Sequence, residues 1–158
     1  MIIRNEHRLV AFVLTFVLAS IGFGAGPRGG FSADDKEIIE EKWPGYLETP
    51  SGLRYIVQRE GSGEKPLLGM KISVVYSGLL IDGIMFSEKK DREDPFQFRL
   101  GGGEVIVGWE EAFADMRKGE MRILIIPYTL GYGLRGRGDS IPRRSTLIFH
   151  VEVIDIEG

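Results

Sequence analysis

Groups able to do covalent chemistry are scarce in this chain. It has no cysteine, which excludes disulfides, thiolate nucleophiles and cysteine-ligated zinc together. Its histidines are His7 and His150, and His7 falls in the N-terminal segment. A multi-histidine metal centre is thereby excluded, and a Ser/His/Asp triad would have to use His150. That residue alternates with Phe149 and Val151 in a strand-like stretch. If Leu147, Phe149, Val151 and Val153 face a core, His150 faces solvent. Gly101-Gly102-Gly103 is no phosphate loop: it lacks the lysine and the glycine spacing, and it leads to Glu104 rather than into a helix. It is expected to be a turn. Arg137-Gly138-Asp139 likewise reads as turn residues rather than an adhesion motif. No cofactor is expected. Most nucleophilic and metal chemistry is thereby excluded before any motif is read.

The elements that would position such an activity are readable. The chain has 158 residues, 43% hydrophobic and 27% charged, which permits one domain with a core of normal size. A net charge of −3 argues against non-specific nucleic-acid binding. Arg4 and Arg8 precede an uncharged run, Leu9 to Phe23, and Gly24-Ala25-Gly26 follow it. A basic start, apolar middle and small-residue end make residues 1–26 a signal peptide or membrane anchor. At about 15 residues the run is short for a span of roughly 20, and a buried helix is the third reading. No cysteine follows it, so a lipoprotein anchor is excluded. The expected location is exported, either periplasmic or anchored facing the periplasm, with membrane contact only through this segment. Residues 27–48 read as a linker with a short helix over Asp34–Trp43, stopped by Pro44-Gly45. Residues 1–33 are expected to be dispensable for folding.

Residues 49–158 read as the compact domain. Leu53–Arg59, Lys71–Leu80, the return strand at Ile84–Phe86, Phe96–Leu100, Glu120–Ile126 and Thr146–Ile156 are strand candidates, with a hairpin signal at Asp82-Gly83. Trp109, Ala112, Phe113 and Met116 recur at helical spacing. Glu110 and Glu111 stand at the helix start, Arg117 and Lys118 at its end, and Gly119 stops it. Five to six strands and one short central helix make an antiparallel α+β domain.

Six segments, in order, resemble the FKBP-type peptidyl-prolyl cis–trans isomerases. They are Val75-Tyr76-Ser77-Gly78; Asp82-Gly83 with Phe86; Pro95 to Phe98; Glu104 to Glu111; Pro127 to Gly133; and Ile141-Pro142 with Ser145 to Phe149. The resemblance covers roughly residues 49–157, and Thr49 to Leu53 is similar to a bacterial lead-in. It implies a bent antiparallel sheet wrapped around the helix, with an aromatic pocket between them. It implies catalytic roles for Tyr76, Phe86, Tyr132 and Phe149. It implies substrate binding by Phe96, Val105, Ile106, Trp109 and Ile141, with Trp109 as the floor and the Ile106 N–H and Tyr132 hydroxyl as donors. By analogy, Leu124 and Ile126 face the core. Ile123 and Ile125 then point outward, to be covered by the Asp34–Trp43 helix or by a partner.

The implied chemistry suits the residue inventory. Amide resonance sets a rotation barrier of roughly 18–20 kcal/mol, and the small cis–trans gap of X–Pro bonds leaves both isomers populated. The twisted transition state loses charge separation, so an apolar pocket favours it over the planar ground state. The implied partners are proline-containing unfolded or flexible polypeptides, and macrolide inhibitors of the family. Two departures stand out. Ser87 occupies a position that is usually Asp in the family, where the acid braces the pocket tyrosine, and Ile141-Pro142-Arg143 replaces Ile-Pro-Pro. Arg135, Arg137, Arg143 and Arg144 form a basic lip, read either as a solvated loop or as a preference for acidic clients. The alternatives to an isomerase of exported proteins are a peptide-binding chaperone module with little turnover and a membrane-held docking subunit.

Overall fold

The computed structural model describes residues 30–158. The expected signal or anchor at 1–26 lies outside the described residues. Among those described, no helix is long and apolar enough to cross a membrane.

The first helix, α1 (Ala33–Lys42), starts where the Ser32 hydroxyl accepts from the Asp35 N–H at 3.0 Å, with Asp34 and Asp35 on the positive end of its dipole. It stops before Pro44 and Gly45, the latter at φ +82. Strands β1 (Leu47–Glu48), β2 (Arg54–Arg59), β3 (Lys71–Leu80), β4 (Met85–Lys89) and β5 (Phe96–Arg99) follow. Helix α2 (Val107–Asp115), β6 (Met121–Ile126), a 3-10 turn at Tyr128–Leu130 and β7 (Leu147–Glu157) complete the chain. All pairings are antiparallel, in the order β1-β2-β6-β7-β3-β4. Strand β5 also pairs with β3, through Lys71–Val74, whereas β4 takes Tyr76–Leu79. Thus β4 and β5 are two pieces of one interrupted edge, with the polar 90–95 loop between them. Register shifts interrupt three of the pairings, and irregularities of this kind increase local twist.

The sheet has seven strands, where five to six were expected. The additional strand is β1, two exposed residues paired with Tyr55 and Arg54. It is too short to carry any periodicity. The sheet's main apolar face closes on α2. Trp109, Ala112 and Phe113 of that helix pack with Val74, Phe98, Leu124, Ile126, Leu147, Phe149 and Val153. Phe98 and Phe113 are almost fully enclosed, each contributing about 1.5–3 kcal/mol of burial.

A second cluster occupies the other face. Ile123, Ile125 and Ile148 are buried there under Ile39 of α1 and Phe31, with Trp43, Tyr46 and Ile56 at its edge. Strand β6 is therefore apolar on both faces because both are covered, and α1 is the cover. The short helix expected in the 27–48 linker is therefore present and is the cover named for Ile123 and Ile125; in its described part the stretch also adds a strand and packs Phe31, Ile39, Trp43 and Tyr46 into the small core. One expectation is corrected: Phe31 is not dispensable spacer, for it is 8% exposed, and the Arg54 guanidinium lies 4.9 Å from its ring centre. The packing on the sheet begins upstream of 49.

Candidate active site

Strand β3 delivers Tyr76 and, two residues on, Gly78. A Cβ at Gly78 would lie 2.7 Å from the Phe149 ring and 2.9 Å from Phe86. The glycine is what lets those two rings close over the strand. Strand β4 brings Phe86 and Ser87, β5 brings Phe96, and β7 brings Phe149. Between β5 and α2 the chain turns through Gly101 at φ +78 and Gly103 at φ +70. Their amides donate to the Glu110 carboxylate at 2.6 and 3.0 Å, tying the turn to the start of α2. The expected turn at 101–103 is thus a brace for the segment that follows it, Glu104-Val105-Ile106.

At the entry to α2, Ile106 is extended (φ −63, ψ 152), and its carbonyl accepts from the Trp109 and Glu110 amides. Among the described residues no carbonyl accepts from the Ile106 N–H. Trp109 sits one turn in, 4% exposed. Tyr76, Phe149 and Phe96 meet it edge-on, with ring centres at 5.0, 5.1 and 6.0 Å. Phe86 meets Phe149 at 5.5 Å, also edge-on. Edge-to-face contacts are the preferred geometry of aromatic quadrupoles and make the walls stiff. The buried Trp109 Nε1 has no partner among the described residues, a cost of about 1–3 kcal/mol that the site carries.

These side chains enclose a cavity of about 320 Å³, lined by Tyr76, Phe86, Ser87, Phe96, Glu104, Val105, Ile106, Trp109, Tyr132, Arg137 and Phe149. Eight of the nine residues named from sequence are therefore brought together. The ninth, Ile141, is not on the lining. It is 2% exposed in the main core, and its backbone pairs both ways with Arg137 at 2.9 and 3.2 Å. It anchors the 133–144 loop from beneath instead of facing a ligand.

The polar groups sit at the edges. The Tyr76 hydroxyl lies 2.9 Å from the Ser87 hydroxyl, so the serine occupies the bracing position. The Tyr132 hydroxyl accepts from Arg137 Nη1 at 2.9 Å, and the guanidinium lies 5.4 Å from the ring centre. With its oxygen occupied by a cation, Tyr132 keeps its own proton free to donate. Sequence reasoning placed Arg137 in a basic lip but not in the cavity, and it missed Glu104 altogether. The only available signals were their closeness in sequence to Tyr132 and to Val105. His150 faces away from the cavity as expected, exposed on the outer side of β7. No group of three or more metal-ligating side chains occurs among the described residues.

Comparison with known proteins agrees with this geometry. The family model described as FKBP-type peptidyl-prolyl cis-trans isomerase matches residues 62–154, from the loop after β2 into β7. FK506-binding protein 2 of Dictyostelium discoideum is 49% identical over 149 residues, covering 94% of this chain and 98% of that protein. A peptidyl-prolyl cis-trans isomerase from Pseudomonas syringae superposes with a TM-score of 0.69 at 31% identity, covering 79% of this chain and 92% of the other. FkpA from Escherichia coli gives 0.70 at 40% identity, over 79% of this chain and 58% of that one. With the bent sheet, the central helix and the aromatic cavity between them, these matches make the chain a member of the FKBP-type peptidyl-prolyl cis–trans isomerases.

Proposed function

We propose that the isomerase acts in the cavity around Trp109, on X–Pro bonds of unfolded or flexible polypeptides exported with it. One observation carries this reading: Trp109, Tyr76, Phe96 and Phe149 meet edge-on around one cavity, with a few hydrogen-bonding groups, among them the Tyr132 hydroxyl, on its lining. The proline ring rests on Trp109 between Tyr76, Phe96 and Phe149. The Ile106 N–H donates to a peptide carbonyl, and the Tyr132 hydroxyl donates from the 3-10 turn side. No bond to substrate forms. The apolar walls disfavour the charge-separated planar amide, and the two donors hold the flanking backbone while the C–N bond rotates. A macrolide such as FK506, named in the relatives, is expected to occupy the same cavity and compete.

The test is an isomerisation assay on a prolyl tetrapeptide with and without FK506, alongside Tyr132→Phe and Trp109→Phe. Both substitutions are expected to lower kcat/KM, and FK506 to abolish activity. Full activity in both variants would place the reaction elsewhere. Export is supported by Arg4, Arg8, the uncharged run 9–23 and the small residues after it. Fractionation of cells expressing the full chain distinguishes a periplasmic product from an anchored one, and a cytoplasmic product would contradict the proposal. Ser87 beside Tyr76 favours a second reading, a chaperone that binds prolyl segments with slow turnover. Peptide affinity that stays high while kcat is low would select it.

A further inference from the structure

The chain is acidic, at −3, but residues 135–144 are not: Arg135, Arg137, Arg143 and Arg144 against Asp139 give four minus one, or +3. Elsewhere among the described residues most cations are paired, Lys36, Lys42, Arg99 and Arg117 excepted. Arg54, Arg59, Arg92 and Arg122 each hold a carboxylate, at distances between 2.5 and 2.8 Å. The four loop arginines are exposed, and none meets a carboxylate among the described residues. Arg143 Nε donates to the Leu134 carbonyl, and Arg137 donates to Tyr132 inside the cavity.

The loop that carries them is held in place. Arg137 and Ile141 bond each other in both directions, and the Arg144 amide donates to Gly133 at 3.1 Å. Gly136, at φ +72, has the Ile141 and Pro142 carbonyls pressed against the side where a Cβ would stand. Arg144 is the one non-glycine among the described residues with positive φ, at 57, a conformation that glycine adopts without strain. An arginine there keeps a charge on the rim at the cost of local strain.

Building on the reading of the aromatic cavity as the catalytic site, we propose that this loop makes the isomerase selective for acidic prolyl segments, with Arg137 as the specificity-determining residue. A carboxylate one residue from the seated proline is within reach of a guanidinium that already lines the cavity. The planar fork of arginine pairs carboxylates in two-point fashion. The other three arginines add a positive field that draws acidic segments in and repels basic ones.

The experiment uses blocked, uncharged-ended peptides, Ala-Xaa-Pro-Phe and Ala-Ala-Pro-Xaa, with Glu, Gln or Lys at Xaa. Both kcat/KM and calorimetric Kd are measured on the full chain. At about 0.02 M salt, Glu is expected to exceed Gln about fivefold in at least one position, with Lys below Gln. At about 1 M salt the contrast should approach unity, since screening then acts within about 3 Å. Arg137→Gln should remove most of the contrast. Arg135→Gln with Arg144→Gly, which touches no cavity residue, should reduce it in part. Equal Glu and Gln peptides at low salt in both positions, or a contrast that survives Arg137→Gln, would overturn the proposal. Glu-selective binding without turnover would support the selectivity and overturn only the catalytic reading of the cavity. Binding of no peptide would overturn both.

Discussion

Replacing Ser87 by Asp is the sharpest probe of how the cavity works. The Ser87 hydroxyl stands 2.9 Å from the Tyr76 hydroxyl, and either can donate to the other. Tyr76 is therefore oriented by a neutral partner that does not fix which proton points where. A carboxylate can only accept, so it would lock Tyr76 as donor, and a charge-assisted bond is roughly twice as strong as a neutral one. The position is half-buried, which costs the new charge some hydration, and Lys89, two residues along the same strand and paired with Tyr76, is already held by Asp94 and offsets little of that cost. The balance is a gain of about 1–1.5 kcal/mol in the preorganisation of the tyrosine, or about tenfold in kcat/KM. The assay is isomerisation of a neutral prolyl tetrapeptide, with peptide Kd measured alongside. Expected are a higher kcat, an almost unchanged Kd and an unchanged fold. The gain should fade as pH falls through the carboxylate range. Ser87→Asn, which has the shape without the charge, should show little gain, and Tyr76→Phe should erase the gain in the double variant. A rate unchanged or lowered by Ser87→Asp in a folded protein, or a gain that persists with Tyr76→Phe, would refute the reasoning.

Other outcomes follow from the same contacts. A chain shortened to start at Asp34 loses Phe31 and the Ser32 cap, and Phe31→Ala loses the ring alone. Each should lower unfolding free energy by about 2–4 kcal/mol in urea titration, against a longer soluble form; coincident midpoints would show that the second cluster adds nothing. Gly78→Ala places a methyl 2.7–2.9 Å from Phe149 and Phe86, and should cut kcat/KM at least tenfold while leaving far-ultraviolet circular dichroism unchanged. Burial pushes the Glu152 carboxyl up, but hydrogen bonds from Arg92 and Arg59 outweigh it and hold the group below the usual range. Partial burial lowers the pKa of His150. Both groups bind protons more readily when unfolded, so stability should be full above about pH 7, begin to fall through the histidine range, and fall further below about pH 4. Glu152→Gln should flatten the acid limb. At neutral pH it should cost only about 1 kcal/mol, because Arg59 and Arg92 are 52% and 62% exposed and water screens them.

Much of this molecule was legible in one dimension, for identifiable reasons. The alternation through Leu147, Phe149, Val151 and Val153 set the inward face of β7 and turned His150 out, because a strand has only two faces. Helical spacing from Trp109 placed α2, but not its end: the helix stops at Asp115, Met116 is already extended, and Arg117, Lys118 and Gly119, expected as the last turn and the stop, lie beyond it. The absence of cysteine and the near absence of histidine restricted the chemistry to non-covalent work. The run of isoleucines in β6 announced a second covered face, since Ile123 and Ile125 could not both stand in water cheaply.

Which element covers that face was left to the tertiary structure. Phe31 has no periodic neighbours, and its burial exists only because α1 crosses β6. Strand β1 escaped notice because two exposed residues carry no pattern, and their pairing comes from the chain doubling back on β2. Ile141 and Arg137 exchanged their expected roles for a similar reason. Residue type says that isoleucine is buried and arginine exposed, but not that a reciprocal backbone pair turns the one into the core and swings the other over Tyr132 into the cavity. Periodicity and composition report how much each residue gains from leaving water. The distances that make a site arise between residues far apart along the chain, and those are fixed only when the sheet bends and closes on its helix.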